Sequence, residues 1–179
     1  HLFIDKPMTP YLTGAREVAD AVRRAGVKSQ MFTQLQAPHI VRARRIVQYG
    51  RLGELTGIHA DCVFAKGHAG TADLSTKRVE SYPPLISNFT DSKAEMYAMG
   101  VYPLGYILAL AGGEFSTVYA KTHNYFFEEH QRNGVEDFGA MSLKMSNGIC
   151  ASIVGARAGW QSHPSGGLNQ IHLIGPKSS

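Results

Sequence analysis

The apolar run Leu2-Phe3-Ile4, followed at once by Asp5-Lys6-Pro7, constrains this chain more than any other feature. Such a run reads as a short buried strand, and the tripeptide after it sets an ammonium group at the strand's carboxyl end. That end is where open α/β sheets gather their ligands. A helix over residues 13–25 follows, because Ala15, Val18, Ala19, Val22 and Ala25 recur at helical spacing, with Thr13 as a cap and Gly26 as a stop. Residues 27–35 then resemble a second short strand. The opening is therefore a β–α–β piece, expected to be the end of a parallel sheet whose earlier strands are absent.

The rest of the chain changes character. A helix is expected from residue 38 or 39 to 49, carrying Ile40, Val41, Ile46 and Val47, stopped by Gly50 and Gly53 and followed by a strand at 55–64. Residues 65–93, broken by Gly67, Gly70, Pro83 and Pro84, have no period and read as a lid or an insertion. The strongest helix spans 96–111 and is closed by Gly112-Gly113. Pro103 is tolerated only in a first turn or at a kink, so the regular helix starts between 99 and 102. Strand character returns at 117–122, 136–145, 149–157 and 170–174, and Asn147-Gly148 is a two-residue hairpin signal. The expected fold class is α+β (α/β): an open, mainly antiparallel sheet with the helices at 39–49 and 99–111 on one face, preceded by the parallel remnant.

Composition removes several classes. At 44% hydrophobic and 18% charged, the chain can bury a core. Its formal charge is +4, but the basic clusters Arg23-Arg24 and Arg42-Ala43-Arg44-Arg45 lie in helical patterns without interleaved aromatics, which argues against nucleic acid. The longest nearly uncharged stretch, 94–113, contains Glu95 and Pro103 and reads as a buried helix, not a membrane span. Two distant cysteines, Cys62 and Cys150, fit free thiols in a reducing compartment such as the cytoplasm. Eight histidines are scattered without metal-ligand spacing, so no dedicated metal site is expected.

Five segments in order carry a family resemblance: Asp5-Lys6-Pro7; residues 46–54 (IVQYGRLGE); Gly100-Val101-Tyr102-Pro103-Leu104 with Leu110-Ala111-Gly112; Val135-Glu136-Asp137-Phe138 with Asn147-Gly148; and Ile171-His172-Leu173-Ile174-Gly175. Together they resemble the Gfo/Idh/MocA oxidoreductases. The resemblance implies a two-domain enzyme that binds NAD or NADP on an N-terminal Rossmann domain. It would transfer a hydride between the nicotinamide and a sugar, polyol or related hydroxy compound. Residues 1–34 would then be the end of the Rossmann domain, and 35–179 a C-terminal α+β domain for substrate binding and oligomerisation, stopping short of the family's usual end. No Gly-x-Gly-x-x-Gly follows a strand, so the dinucleotide would be held mainly by the missing N-terminal part. The 179 residues alone are expected to be inactive. The implied partners are a small-molecule substrate and further copies of the chain through the open sheet, not nucleic acid or membrane.

The same resemblance nominates site residues. Lys6 would face substrate and nicotinamide ribose, with Asp5 and Pro7 on the cofactor side; Asp5 replaces the family's glutamate, and Pro7 is expected to follow a cis peptide. Tyr102 stands where many members have histidine, and a phenol there, eased toward ionisation by the neighbouring cation, is the candidate acid/base. Gly100 fits a close backbone approach. Four residues before Tyr102 the family usually has an aspartate, where this chain has Ala98; Glu95, one turn earlier, is the candidate substitute. Leu35-Gln36 likewise stand where the family often has Arg or Asn. Arg157, Trp160 and His163 are substrate-side candidates, Arg157 for a carboxylate or vicinal hydroxyls and Trp160 for stacking on a sugar face. Tyr125, Phe126 and Phe127 read as an edge or interface cluster, and Glu128-Glu129-His130 as a solvated turn. Ala98 also keeps open a non-catalytic, sugar-sensing or regulatory protein on the same scaffold, and the sheet keeps open a role mainly as an oligomerisation platform.

Overall fold

The computed structural model describes residues 1–9, 11–65, 94–158 and 167–179. The expected loop at 65–93 lies almost wholly outside them, as do Trp160 and His163. The chain opens with strand β1 (Leu2–Asp5), helix α1 (Leu12–Ala25) and strand β2 (Ser29–Phe32), and β1 and β2 pair in parallel as a two-stranded sheet. Gly26 ends α1 in the left-handed conformation (φ 60°), which glycine adopts without the steric cost a Cβ brings. Thr13 is not the cap: the helix begins at Leu12 after Tyr11, with no side-chain cap bond. The second strand is also shorter than expected, because Thr33 caps a 3-10 turn over Gln34–Gln36.

Helix α2 (Pro38–Gln48) then leads into β3 (Gly57–Ala65). A π-helical turn (Met96–Gly100) runs directly into α3 (Val101–Ala111), so the regular helix begins where Pro103 required. The remaining elements are β4 (Phe115–His123), the one-turn α4 (Glu128–Arg132), β5 (Phe138–Met145), β6 (Cys150–Ala158) and β7 (Gly167–Ile174). The main sheet has the order β4-β5-β6-β3-β7. It is antiparallel except for the β3–β6 pair, which is parallel. Hairpin logic alone would have set β6 beside β7; instead β3 lies between them.

Alternation along the strands divides the sheet into two unlike faces. Ile58, Ala60, Leu143, Ala151 and Ile153 meet Ala43, Ile107 and Leu110 from α2 and α3 in the principal core. Fully burying one such side chain contributes roughly 1.5–3 kcal/mol. The opposite face is less apolar than an uncovered sheet would suggest. Its centre carries His59, whose Nδ1 lies 2.7 Å from Ser152 Oγ, and Asp61, which accepts from Gln170 Nε2 at 2.7 Å. A second small cluster of Val63 and Ala156 with Phe126, Phe138, Val154 and Leu168 occupies one end.

The π turn reaches the sheet through glycine. A Cβ on Gly155 of β6 would lie 2.9 Å from Gly100 Cα and 3.0 Å from Gly100 N, both backbone atoms that no rotamer change can clear. Gly100 is therefore accounted for by helix–sheet packing. Gly155→Ala is expected to lower stability by about 1–3 kcal/mol through forced backbone separation. A denaturant titration checks this; an unchanged midpoint would contradict the close approach.

Candidate active site

Lys6 follows β1 directly, and the Lys6–Pro7 peptide is cis, as the tripeptide suggested. Its Nζ donates to the carbonyl oxygen of Ala98 at 2.5 Å and sits 4.5 Å from the centroid of the Tyr102 ring. The two sequence-nominated groups, 96 positions apart in the chain, thus meet at the start of α3. The local fold explains why that carbonyl is available. In π register a carbonyl pairs with the residue five positions on, which for Ala98 is Pro103, a residue with no N–H. At the position where the resemblance implied a carboxylate, a main-chain oxygen holds the lysine instead.

The electrostatics follow from burial and neighbours. Partial burial lowers the Lys6 pKa from the ordinary 10.5; Asp5 opposes this and Arg157 adds to it. Burial likewise raises Tyr102, helped by Cys62 and Asp5. Burial outweighs the expected easing of the phenol toward ionisation, and Nζ over the ring face makes a cation–π contact. Cys62 lies fully buried, and burial pushes its thiol up to about 12, so it remains neutral. It is free, as is the exposed Cys150.

Glu95 is buried. It is only 2% exposed, with Oε1 3.3 Å from His130 Nε2 and Oε2 3.4 Å from Arg157 Nε. The carboxylate nominated as a substrate contact instead lies beside the inner edge of an arginine, in an ion pair without a hydrogen bond. Arg157 itself remains partly exposed, at the end of β6. Asp5 is exposed, and its Oδ1 accepts the Lys6 backbone N–H at 2.8 Å.

Four features were missed in the sequence. His130, read as part of a solvated turn, is fully buried against Glu95. Phe127 is buried too, while Tyr125 of the same run stays exposed. Asp137, also fully buried, accepts backbone N–H bonds from Tyr125, Phe126 and Phe127 at 2.8, 2.7 and 2.9 Å. Finally, Gln34 Oε1 accepts from Tyr106 Oη at 2.6 Å and from Asn169 Nδ2 at 3.2 Å, tying the turn after β2 to α3 and β7. Tyr106 lies four residues after Tyr102, one helical turn along the same face, which was the available signal. Among the described residues no three His, Cys, Asp or Glu side chains converge to hold a metal ion, and no helix is long and apolar enough to cross a membrane.

Residues 40–179 match the family model described as the GFO/IDH/MocA C-terminal domain. The chain belongs to the Gfo/Idh/MocA family. Solved structures agree on the Gfo/Idh/MocA fold. Scyllo-inositol dehydrogenase from Lactobacillus casei, with bound NAD(H) and scyllo-inositol, superposes with a TM-score of 0.75 at 19% identity, over 99% of this chain and 48% of that one. Myo-inositol 2-dehydrogenase from Lactobacillus plantarum gives 0.76 at 18% identity, over 98% and 48%. Aldose-aldose oxidoreductase from Caulobacter crescentus, complexed with glycerol, gives 0.75 at 22% identity, over 99% and 47%. The chain therefore spans about half the length of these Gfo/Idh/MocA structures. No curated protein matches it.

Proposed function

We propose that these residues form the substrate-side part of an NAD(P)-dependent oxidoreductase that moves a hydride between the nicotinamide and a sugar, polyol or related hydroxy compound. Residues 1–34 would close the Rossmann domain and 35–179 the substrate-binding domain. The observation that carries this reading is the fixed position of Lys6 Nζ between the Ala98 carbonyl and the Tyr102 ring. An ammonium has three donors, and one is used on Ala98. The others are available to a substrate oxygen and to a nicotinamide ribose beside Asp5, Lys6 and Pro7, so the residues present fit that end of the cofactor.

The nicotinamide, when bound, supplies the hydride acceptor or donor. Lys6 holds the substrate oxygen and stabilises the negative charge that grows on it as the C–H bond breaks. Tyr102, kept protonated by burial, is the proton donor to that oxygen in the reductive direction and is left as phenolate; in the oxidative direction its minor phenolate form accepts the proton. The sensor alternative rested on Ala98. With Lys6 held by the carbonyl of that very residue, the missing carboxylate is no argument against catalysis. Free thiols favour a cytoplasmic setting, and the open sheet face, with exposed Tyr119 on the edge strand β4, favours association with a second copy.

The test is hydride transfer by the protein expressed from its complete coding sequence, with inositols and aldoses and each nicotinamide cofactor. Tyr102→Phe keeps the ring under Lys6 and removes the proton, so kcat is expected to fall about 10²–10⁴-fold. A kcat equal to wild type would reduce Tyr102 to a platform for the lysine. The pH profile carries a sign of its own. Activity that needs the ammonium persists below the Lys6 pKa and falls as pH rises through it. Because burial lowers that pKa, the alkaline fall is expected below 10.5 and is to vanish in Lys6→Arg. By itself the 179-residue chain is expected to turn over nothing.

A further inference from the structure

Arg157 and Lys6 are anchored to one short stretch of backbone. Lys6 binds the carbonyl of Ala98, and Arg157 pairs with Glu95, three residues earlier, where β6 crosses the π turn at Gly155 and Gly100. The Arg157 charge is felt by Lys6, Tyr102 and Cys62, which places the guanidinium within electrostatic reach of the whole cluster. Glu95 Oε2 lies 3.4 Å from its buried Nε, an ion pair without a hydrogen bond. Its terminal nitrogens make no hydrogen bond or ion pair to another described residue, and its side chain is 31% exposed. With Nε buried beside Glu95 and the side chain partly exposed, the planar fork of terminal nitrogens is the part left to receive a carboxylate in two parallel bonds.

Lys6 and Arg157 bring two positive charges to this turn, and buried Glu95 and the Glu136 carboxylate, whose Oε1 accepts the Met96 N–H at 3.2 Å, stand against them. A singly charged planar carboxylate matches the guanidinium fork in shape and adds less unbalanced charge than a dianionic phosphate. We propose that Arg157 is a carboxylate subsite and that the substrate class is a sugar acid, its carboxylate on Arg157 and its reacting hydroxyl on Lys6. Glu95, backed by His130, is a positioning residue for that guanidinium. The inference rests on the dehydrogenase reading for the reacting end, but not for the subsite.

The probes are D-glucuronate and D-glucose, which differ in carrying a carboxylate or a hydroxymethyl group, with D-glucose 6-phosphate as the dianion. Dissociation constants are measured by calorimetry on the protein from its complete coding sequence. Wild type is expected to favour glucuronate over glucose by about ten- to hundredfold, the discrimination a hydrogen-bonded charge supplies. Arg157→Gln is expected to bring that ratio close to one, and Arg157→Lys to leave it in between, each with an unfolding midpoint near that of wild type. Glu95→Gln is expected to reduce the ratio while leaving Arg157 in place. A wild-type ratio near one, a ratio untouched by Arg157→Gln, or tighter binding of glucose 6-phosphate than of glucuronate overturns the proposal. The outcomes separate from those of the enzyme reading: carboxylate discrimination without any nucleotide reduction would sink the dehydrogenase and keep the subsite, whereas turnover of neutral sugars alone would do the reverse.

Discussion

Lys6→Met is expected to abolish hydride transfer, with kcat/KM down about 10³-fold or more, while the protein folds at least as well as wild type. The first half follows from losing the one preorganised cation at the developing alkoxide, where a single donor contributes about 10²–10³ and general acid–base help adds to it. The second half follows from the direction of the Lys6 pKa. Burial lowers it, so the folded state penalises the charged form. That penalty is present at pH values below the folded-state pKa and disappears as pH rises toward 10.5, so at neutral pH an apolar side chain of similar length removes it. Lost contacts to the Ala98 carbonyl and the Tyr102 ring work the other way, but both are partly exposed and modest. Steady-state kinetics beside a thermal melt give the answer. A melting point that collapses together with activity would mean that Lys6 is a structural clamp.

Asp137→Ala is expected to do the opposite, damaging the fold first. The carboxylate is fully buried and takes three backbone N–H bonds from the turn that seats Phe127 and leads into α4. Removing it leaves those donors without an acceptor, at about 1–3 kcal/mol for each buried group. A loss of roughly 3–5 kcal/mol is therefore expected, or about 10 °C in melting temperature for a chain of this size. Asp137→Asn keeps one acceptor oxygen and should lose less. The damage should extend to the site, because the Asp137 carbonyl accepts the backbone N–H of Arg157 at 3.0 Å, and His130 of α4 backs Glu95. A melting curve identical to wild type for Asp137→Ala would show that the turn is held by other means.

The meeting of Lys6 with Tyr102 was legible because each sits in a short motif with strong local constraints, a strand end and a proline-marked helix start. The helices at 39–49 and 99–111 were legible from period alone, and so was the division of the sheet into strands. The insertion of β3 between β6 and β7 was not. Strand pairing across that distance leaves no local mark, and a hairpin rule knows only about neighbours in the chain. Glu95 was misassigned for a related reason. Spacing puts it one turn from Ala98, but only the packed structure reveals His130 and Arg157 around it. His130 itself looked solvated because it follows two glutamates, and tertiary burial overrode that local polarity. The phenol of Tyr102 was misjudged because the neighbouring cation was counted while the burial around the hydroxyl, which only the packed structure reveals, was not.

The parallel β3–β6 pair has a consequence for biosynthesis. β3 is made well before both its neighbours, β6 and β7, which follow it by about a hundred residues. During translation β3 must wait on the ribosome with both long edges unpaired until residues about a hundred positions further on have emerged, as the bond from Thr56 Oγ1 to the carbonyl of Ile174 illustrates. Pairing of such high contact order is slow. Nascent chains halted before β6 should engage holdase chaperones through this naked strand, and release should coincide with the arrival of β7.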